Sequence, residues 1–417
     1  VKLLISVSAV SLCLLLLVSA VSSHEPITTS VTFNKEIVRI LQRSCLSCHR
    51  PDGVAGDISL MTYEQARPWA KAIKEEILEK RMPPYQAVKG FGNFQVPYAL
   101  PQRDIELIIS WVEGGAPRGD EKNYPRDLIP VDRAFGKPDL ELQPAQAISI
   151  PAGEGEQVSC LRLPTGLSAE RRINALDFRP ASSAVLSAEF SVARQCGAAC
   201  AGAAAGERIG EWVPGQAAVR LPDDAGLLLP AGSCVVMKIR YRRSAETLQD
   251  RSSLGVYFAK GENVRPVESV RIAPRAALVP ARAENHRVRV SYLLRDDTEA
   301  LAVRPLLFPL GRSVEVTAFR PDGSAEVLVV ARNYRYNWQP AYYFRNPVSL
   351  PAGTRIEVTA YLDNSDNNRN LSNEQVRARH VSDALCELLL AKPIKSAPAT
   401  KALTAANSSN SSGAHKH

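Results

Sequence analysis

Residues 45 to 49 read Cys45-Leu46-Ser47-Cys48-His49, a C-x-x-C-H spacing. Two thiols three residues apart share one helical turn, so both can form thioethers to the vinyl groups of one haem while the adjacent imidazole reaches the iron. A disulfide between Cys45 and Cys48, or half of a zinc site, would use the same residues, but no second Cys pair or His pair lies nearby to complete zinc. The expected chemistry is covalent attachment of a single c-type haem with His49 as one axial ligand. The other axial ligand must come from elsewhere, and the chain has only three Met. Met61 follows His49 closely in a Leu-Met-Thr turn, and Met237 lies in an alternating segment that reads as strand core. Met82, just past a helix end in Arg81-Met82-Pro83-Pro84, is the expected sulfur ligand. His with Met is the electron-transferring arrangement, and the thioether raises the reduction potential.

Three amphipathic segments must position these groups. Phe33 to Gln42 places Phe33, Ile37, Ile40 and Leu41 at helical spacing and leads into the motif. Tyr63 to Glu79 puts Ala66, Trp69, Ala70, Ile73, Ile77 and Leu78 on one side and is stopped by Pro83 and Pro84. Gln102 to Val112, with Ile105, Ile108, Ile109 and Trp111, ends at Gly114-Gly115.

Composition bounds the rest. At 417 residues, 45% hydrophobic and 23% charged, the chain is globular and long enough for two to four domains. With 29 Pro and 24 Gly beside 6% aromatic residues, short strands joined by turns are expected over a long helical bundle. The net charge of +8 is spread thinly, without a basic run or interleaved aromatics, so no nucleic-acid partner is expected. Residues 1 to 23 have one positive charge, an apolar stretch and then small residues, the pattern of a signal peptide. The expected location is periplasmic or otherwise extracytoplasmic, with membrane anchoring only if that segment is retained. Leu12 rather than a small residue precedes Cys13, which argues against a lipid-anchored cysteine.

The words VTFNKEIVRILQRSCLSCHRPDG, TYEQARPWAKAI, RMPPY and LISWVEGGAPRGD resemble the small cytochrome c domain fused to bacterial copper monooxygenase-like proteins. That resemblance covers residues 31 to 120 and implies His49 and Met82 as axial ligands. Tyr85 stands where that family has Trp, a departure expected to bear on packing near the haem.

Residues 121 to 145, rich in Pro and charge, read as a linker. Beyond them come short alternating segments between turns: AISIPAG, CVVMKIRY, LGVYFAK, HRVRVSYLL, SVEVTAF, AEVLVV and TRIEVTAYL. The expected fold is multidomain, α plus all-β. A helical cytochrome c-like domain (24–120) precedes two antiparallel β sandwiches (146–264 and 265–394), and an Ala/Ser/Asn-rich tail (395–417) follows.

From Gly136 to Leu390 the chain is similar to the copper type II, ascorbate-dependent monooxygenases, which include the peptidylglycine hydroxylating enzymes with two jelly-roll domains. The words that carry this are LLLPAGSCVVMKIRY, YRYNWQPAYYF and LPAGTRIEVTAYLDNSDNN, with the Asn-Trp-Gln run (337–339) among the most specific. The resemblance implies three imidazoles for one copper, and two imidazoles with a thioether for another. At the corresponding positions stand Ser187, Ala188, Arg240, Leu306, Phe308 and Leu388, none of which is such a ligand. Six His occur in all: His24, His49, His286, His380, His415 and His417. Only His286 and His380 fall within the sandwiches, both among polar residues and expected to be exposed. Copper is therefore not expected, and no catalytic residue is assigned.

Cys160, Cys196, Cys200, Cys234 and Cys386 remain for disulfides; Cys196 and Cys200 are close enough in sequence to bridge, with the pairing left open. The leading expectation is an electron carrier working with a redox partner protein, on a degenerate copper-monooxygenase-like scaffold. A haem- and copper-dependent C–H hydroxylase and a peptide- or glycan-binding module tethered to a haem domain are the alternatives.

Overall fold

The computed structural model describes residues 29–393, apart from 52, 97–98, 127–132, 198–205, 262, 369 and 372–377. The signal segment, Cys13, His24, Cys200 and the tail with His415 and His417 lie outside the described residues. The chain is 40% strand and 14% helix, a β-rich multidomain fold.

A π turn, Phe33–Ile37, runs into α1 (Val38–Ser44). Next come α2 (Tyr63–Ala66), a 3₁₀ turn (Arg67–Trp69), α3 (Ala70–Leu78) and α4 (Gln102–Glu113). Thr62 starts α2 with a capping box: its hydroxyl accepts from the Gln65 backbone N–H, and the Gln65 side chain accepts in return. Phe33, Ile37, Leu41, Ile108 and Trp111 form the buried centre of this helical region. Within it the Trp111 indole donates to the Pro117 carbonyl at 3.0 Å. Trp69, expected inside, is 41% exposed. Pro68 lacks an amide hydrogen and breaks the α register into a 3₁₀ turn, which swings Trp69 off the apolar stripe. Leu78, at the last residue of α3, is also exposed.

Among the described residues, twenty strands follow. The first ten are β1 (Leu140–Leu142), β2 (Ile148–Ile150), β3 (Glu156–Pro164), β4 (Arg171–Arg179), β5 (Val185–Ala193), β6 (Glu207–Trp212), β7 (Ala225–Leu229), β8 (Cys234–Arg242), β9 (Leu248–Asp250) and β10 (Ser253–Phe258). The second ten are β11 (Arg265–Ile272), β12 (Ala277–Val279), β13 (His286–Leu293), β14 (Thr298–Pro305), β15 (Gly311–Phe319), β16 (Ala325–Arg332), β17 (Tyr342–Leu350), β18 (Arg355–Leu362), β19 (Arg379–Val381) and β20 (Cys386–Ala391). One eight-stranded sheet, β1-β10-β4-β7-β11-β20-β14-β17, runs through both halves. The four-stranded sheets β3-β8-β5-β6 and β13-β18-β15-β16 accompany it, and two hydrophobic cores result. β11 joins the halves, pairing in parallel with β7 and antiparallel with β20.

Two differences from the sequence expectation matter for function. Residues 140–142, read as linker, form edge strand β1 on β10, a strand too short to show a period-two pattern. The helical region is also more than tethered. Ala87 bridges to Ala331 and Phe94 to Phe344, and the Val88 N–H donates to the Val330 carbonyl at 2.7 Å, so the chain between α3 and α4 extends the second β body. Tyr85 packs on that body's core, its ring 6.0 Å from Tyr342, rather than within the helical core.

Candidate functional site

The C-x-x-C-H run forms one tight turn at the end of α1. The Cys45 N–H donates to the Leu41 carbonyl at 2.8 Å, and the Cys45 carbonyl accepts from the N–H groups of Cys48 and His49 at 3.0 and 2.9 Å. Both thiols are unbridged and half-buried. Burial and the neighbouring Cys48 push the Cys45 thiol up to about 12. Burial also raises Cys48, against the lowering influence of Ser47 and Arg50. Both therefore stay protonated at neutral pH. His49 is oriented by its own backbone surroundings: Nδ1 lies 3.0 Å from the Ile58 carbonyl, which can only accept, so Nδ1 carries the proton and Nε2 keeps its lone pair. Among the described residues no three His, Cys, Asp or Glu side chains converge as a metal site, whereas haem attachment asks these three groups to spread along one face of a ring. The residues fit the group.

Gly53, not singled out in the sequence, is also required. The Ala55 N–H donates to the Cys48 carbonyl at 3.0 Å, and a Cβ at Gly53 would lie 2.2 Å from that same carbonyl oxygen. The Pro-Asp-Gly run just after His49 was its only sequence signal.

Met82 is 38% exposed and stands in the turn after α3. The turn is fixed by Arg81, whose guanidinium grips Glu76 through two hydrogen bonds of 2.9 Å each, and by the Met82 N–H donating to the Glu76 carbonyl at 3.1 Å. Met61 packs against the helical core, and Met237 is fully buried in the first β core.

Five of the six positions where the resemblance implies copper ligands meet in the fold. Ser187 on β5 lies opposite Arg240 on β8, and Ser187, Ala188, Arg240, Leu306 and Phe308 all line one cleft of about 240 Å³. Leu388 does not: it is buried on β20, in register with Val270 and Val303. Four guanidiniums, of Arg208, Arg240, Arg271 and Arg304, line that cleft. Arg208 and Arg304 belong to a nearly dry ionic cluster at its floor. Arg208 pairs with Glu211 and, at 3.3 Å, with Glu387, while Arg304 reaches Glu387 at 3.4 Å and Glu211 at 3.7 Å. Burial alone would raise the Glu387 carboxyl, but Arg208, Arg304 and the Ser269 hydroxyl outweigh it and hold it below the ordinary value. Burial disfavours the Arg208 cation, yet Glu211 and Glu387 overcome that and raise it, so both partners shift toward the charged pair.

His380 is exposed, whereas His286 is half-buried on β13 opposite Leu362, because pairing with β18 covers one face of it. Cys196 bridges Cys234 and not the nearby Cys200, because β5 and β8 are adjacent strands and bring residue 234 alongside the end of β5. Cys160 is also disulfide-bonded, and Cys386 is free and buried.

No family model matches the chain, and no curated protein matches it. Among solved structures, a Paenibacillus xanthan lyase aligns over 68% of this chain at 8% identity and a TM-score of 0.17, and this chain spans 29% of its length. The turret protein A223 of Sulfolobus turreted icosahedral virus aligns over 60% of this chain and 99% of its own, at 11% identity and a TM-score of 0.16. The tandem CBM22 domains of Xyn10C from Paenibacillus barcinonensis align over 62% and 100%, at 12% identity and a TM-score of 0.14.

Proposed function

We propose that this protein is an extracytoplasmic monohaem c-type cytochrome, its helical region a cytochrome c-like domain and its β bodies a degenerate copper-monooxygenase-like jelly-roll scaffold. The observation that carries this reading is the C-x-x-C-H turn, with both thiols unbridged and His49 pinned through Nδ1 so that Nε2 is left to ligate. Cys45 and Cys48 would hold the haem covalently, and His49 and Met82 would ligate its iron. When bound, the haem supplies one-electron exchange between ferrous and ferric iron. The chain's own contribution is to hold His49 in one tautomer, to hold the Met82 turn through Arg81 and Glu76, and to back the motif with the apolar core around Phe33 and Trp111. A redox partner protein is the proposed source or sink of the electron. Export is proposed from the character of residues 1 to 23.

A hydroxylase reading would need imidazoles where Ser187, Ala188, Arg240, Leu306 and Phe308 stand. Arg240 at one of those positions is a permanent cation and cannot itself ligate copper.

Metal analysis of the exported protein, with a haem stain and optical spectrum in parallel, tests the proposal. One iron and no copper per chain is the expected result; two tightly bound copper ions per chain would put the hydroxylase reading first. Met82→Ala is expected to keep the covalent haem, lower the reduction potential and abolish the sulfur-to-iron charge-transfer band. An unchanged band would remove Met82 from the ligand set.

A further inference from the structure

The loop after β6 comes close to the Cys48 side of the C-x-x-C-H turn. Gly215, with φ +80°, stands beside it: a Cβ built there would lie 3.4 Å from Ser47 Oγ and 3.7 Å from Cys48 Sγ, ordinary contact distances. The residue before it, Pro214, accepts a hydrogen bond from the Trp338 indole N–H at 2.8 Å. Trp338 is only 7% exposed and belongs to the loop between β16 and β17, in the other β body.

The same residue is tied to the other half of the ligand set. The Trp338 carbonyl accepts from Gln86 Nε2 at 2.7 Å, and the Arg335 carbonyl accepts from it at 3.3 Å. Gln86 is four residues beyond Met82, and its carbonyl accepts from the Arg332 N–H at 2.9 Å. One tryptophan therefore holds, through its side chain, the loop beside Cys48 and, through its backbone, the segment that follows the Met82 turn. The Trp338 links are direct hydrogen bonds, and the Gln86–Trp338 bond is fully buried, where such a bond is hardest to exchange for solvent.

We infer that Trp338 is a positioning residue for the haem site: it fixes where the Cys48-His49 turn stands relative to Met82, so the β scaffold sets how firmly the sulfur ligand is held. This rests on the haem reading proposed above and assigns the second β body a part in it.

Trp338→Phe keeps an aromatic ring and removes the N–H donor, and Gln86→Leu keeps a comparable volume and releases the Trp338 carbonyl from the other side. In the full-length haem-loaded protein, both variants are expected to keep the haem stain while imidazole displaces the sulfur ligand about fivefold faster, the factor that one net hydrogen bond supplies. The charge-transfer band should weaken and the midpoint potential should fall in both. If Trp338→Phe proves too unstable to purify, Gln86→Leu carries the test alone. Haem retained with wild-type band, potential and displacement rate would overturn the inference. Failure of the wild-type chain to take up haem would overturn the haem reading instead. In that haem-free chain, alkylation of the Cys48 thiol by iodoacetamide should still be faster in Trp338→Phe, and an unchanged rate would overturn the positioning role as well.

Discussion

Replacing Cys45 and Cys48 together with Ala is expected to give a chain that carries no haem through denaturing electrophoresis, a complete loss of haem stain. Covalent attachment is what separates this motif from every other use of two thiols and an imidazole. Non-covalently held haem leaves on denaturation, whereas thioethers survive it. The substitution should leave the fold in place, since both side chains are half-buried and the helical core rests on Phe33, Ile37, Leu41, Ile108 and Trp111. Each single variant retains one thiol and should retain part of the stain, because His49 and one thioether can still hold the ring. Haem stain that persisted in the double variant would show that Cys45 and Cys48 are not the attachment points. The raised pKa of both thiols bears on this outcome. Burial keeps both thiols protonated in the haem-free chain, so disulfide closure there is expected to be slow.

Much of this site is legible in the sequence because its information is local. The C-x-x-C-H spacing, the apolar stripe of Phe33 to Leu41 and the Gly114-Gly115 stop each lie within a few residues, and the helices fall close to where these signals place them. Strands with one wet face are equally plain: β18 alternates throughout, and β8 and β15 alternate over part of their length, enough to be read directly. β14 and β20 are not, because they run through the eight-stranded sheet with nearly every residue buried, and a strand covered on both faces shows no alternation. The parts of the site contributed from afar are the least legible. Nothing near Cys48 announces Gly215, and nothing in Asn337-Trp338-Gln339 announces that its indole reaches Pro214. Gln86, inside what reads as a separate haem domain, becomes visible only once Ala87 is seen bridged to Ala331. The cleft shows the same contrast. The residues standing at the copper-ligand positions are plain in the sequence, while the salt links from Arg208 and Arg304 to Glu211 and Glu387 come from sequence separations of up to 179 positions and need the folded sheet to appear.

Glu387→Gln is expected to lower the unfolding free energy by about 3 kcal/mol, the lower end of the cost of breaking a buried ion pair by removing one partner. Two guanidiniums, of Arg208 and Arg304, share that carboxylate, and Glu211 is the acidic partner they keep. With the amide in place two cations would face one anion at the cleft floor, where the side chains of Glu211, Arg304 and Glu387 are each under a tenth exposed. The penalty is mostly that uncompensated charge. The pH dependence follows from the sign of the shift. Because the folded state holds Glu387 below the ordinary carboxylate range, its contribution is fully present above the unfolded value of about 4.3 and is lost as pH falls through the lowered folded value. Urea titrations at neutral pH and at successively lower pH should therefore show wild type and Glu387→Gln converging in acid. The carboxylate ties β20 to Arg208 on β6 of the first body and to Arg304 on β14 of the second, so a change in cooperativity is informative as well. A variant that unfolds in two steps would show that the cluster couples the bodies across their shared sheet. A loss below about 1 kcal/mol with no convergence in acid would mean that water reaches the guanidiniums and that the pairs behave as surface salt bridges.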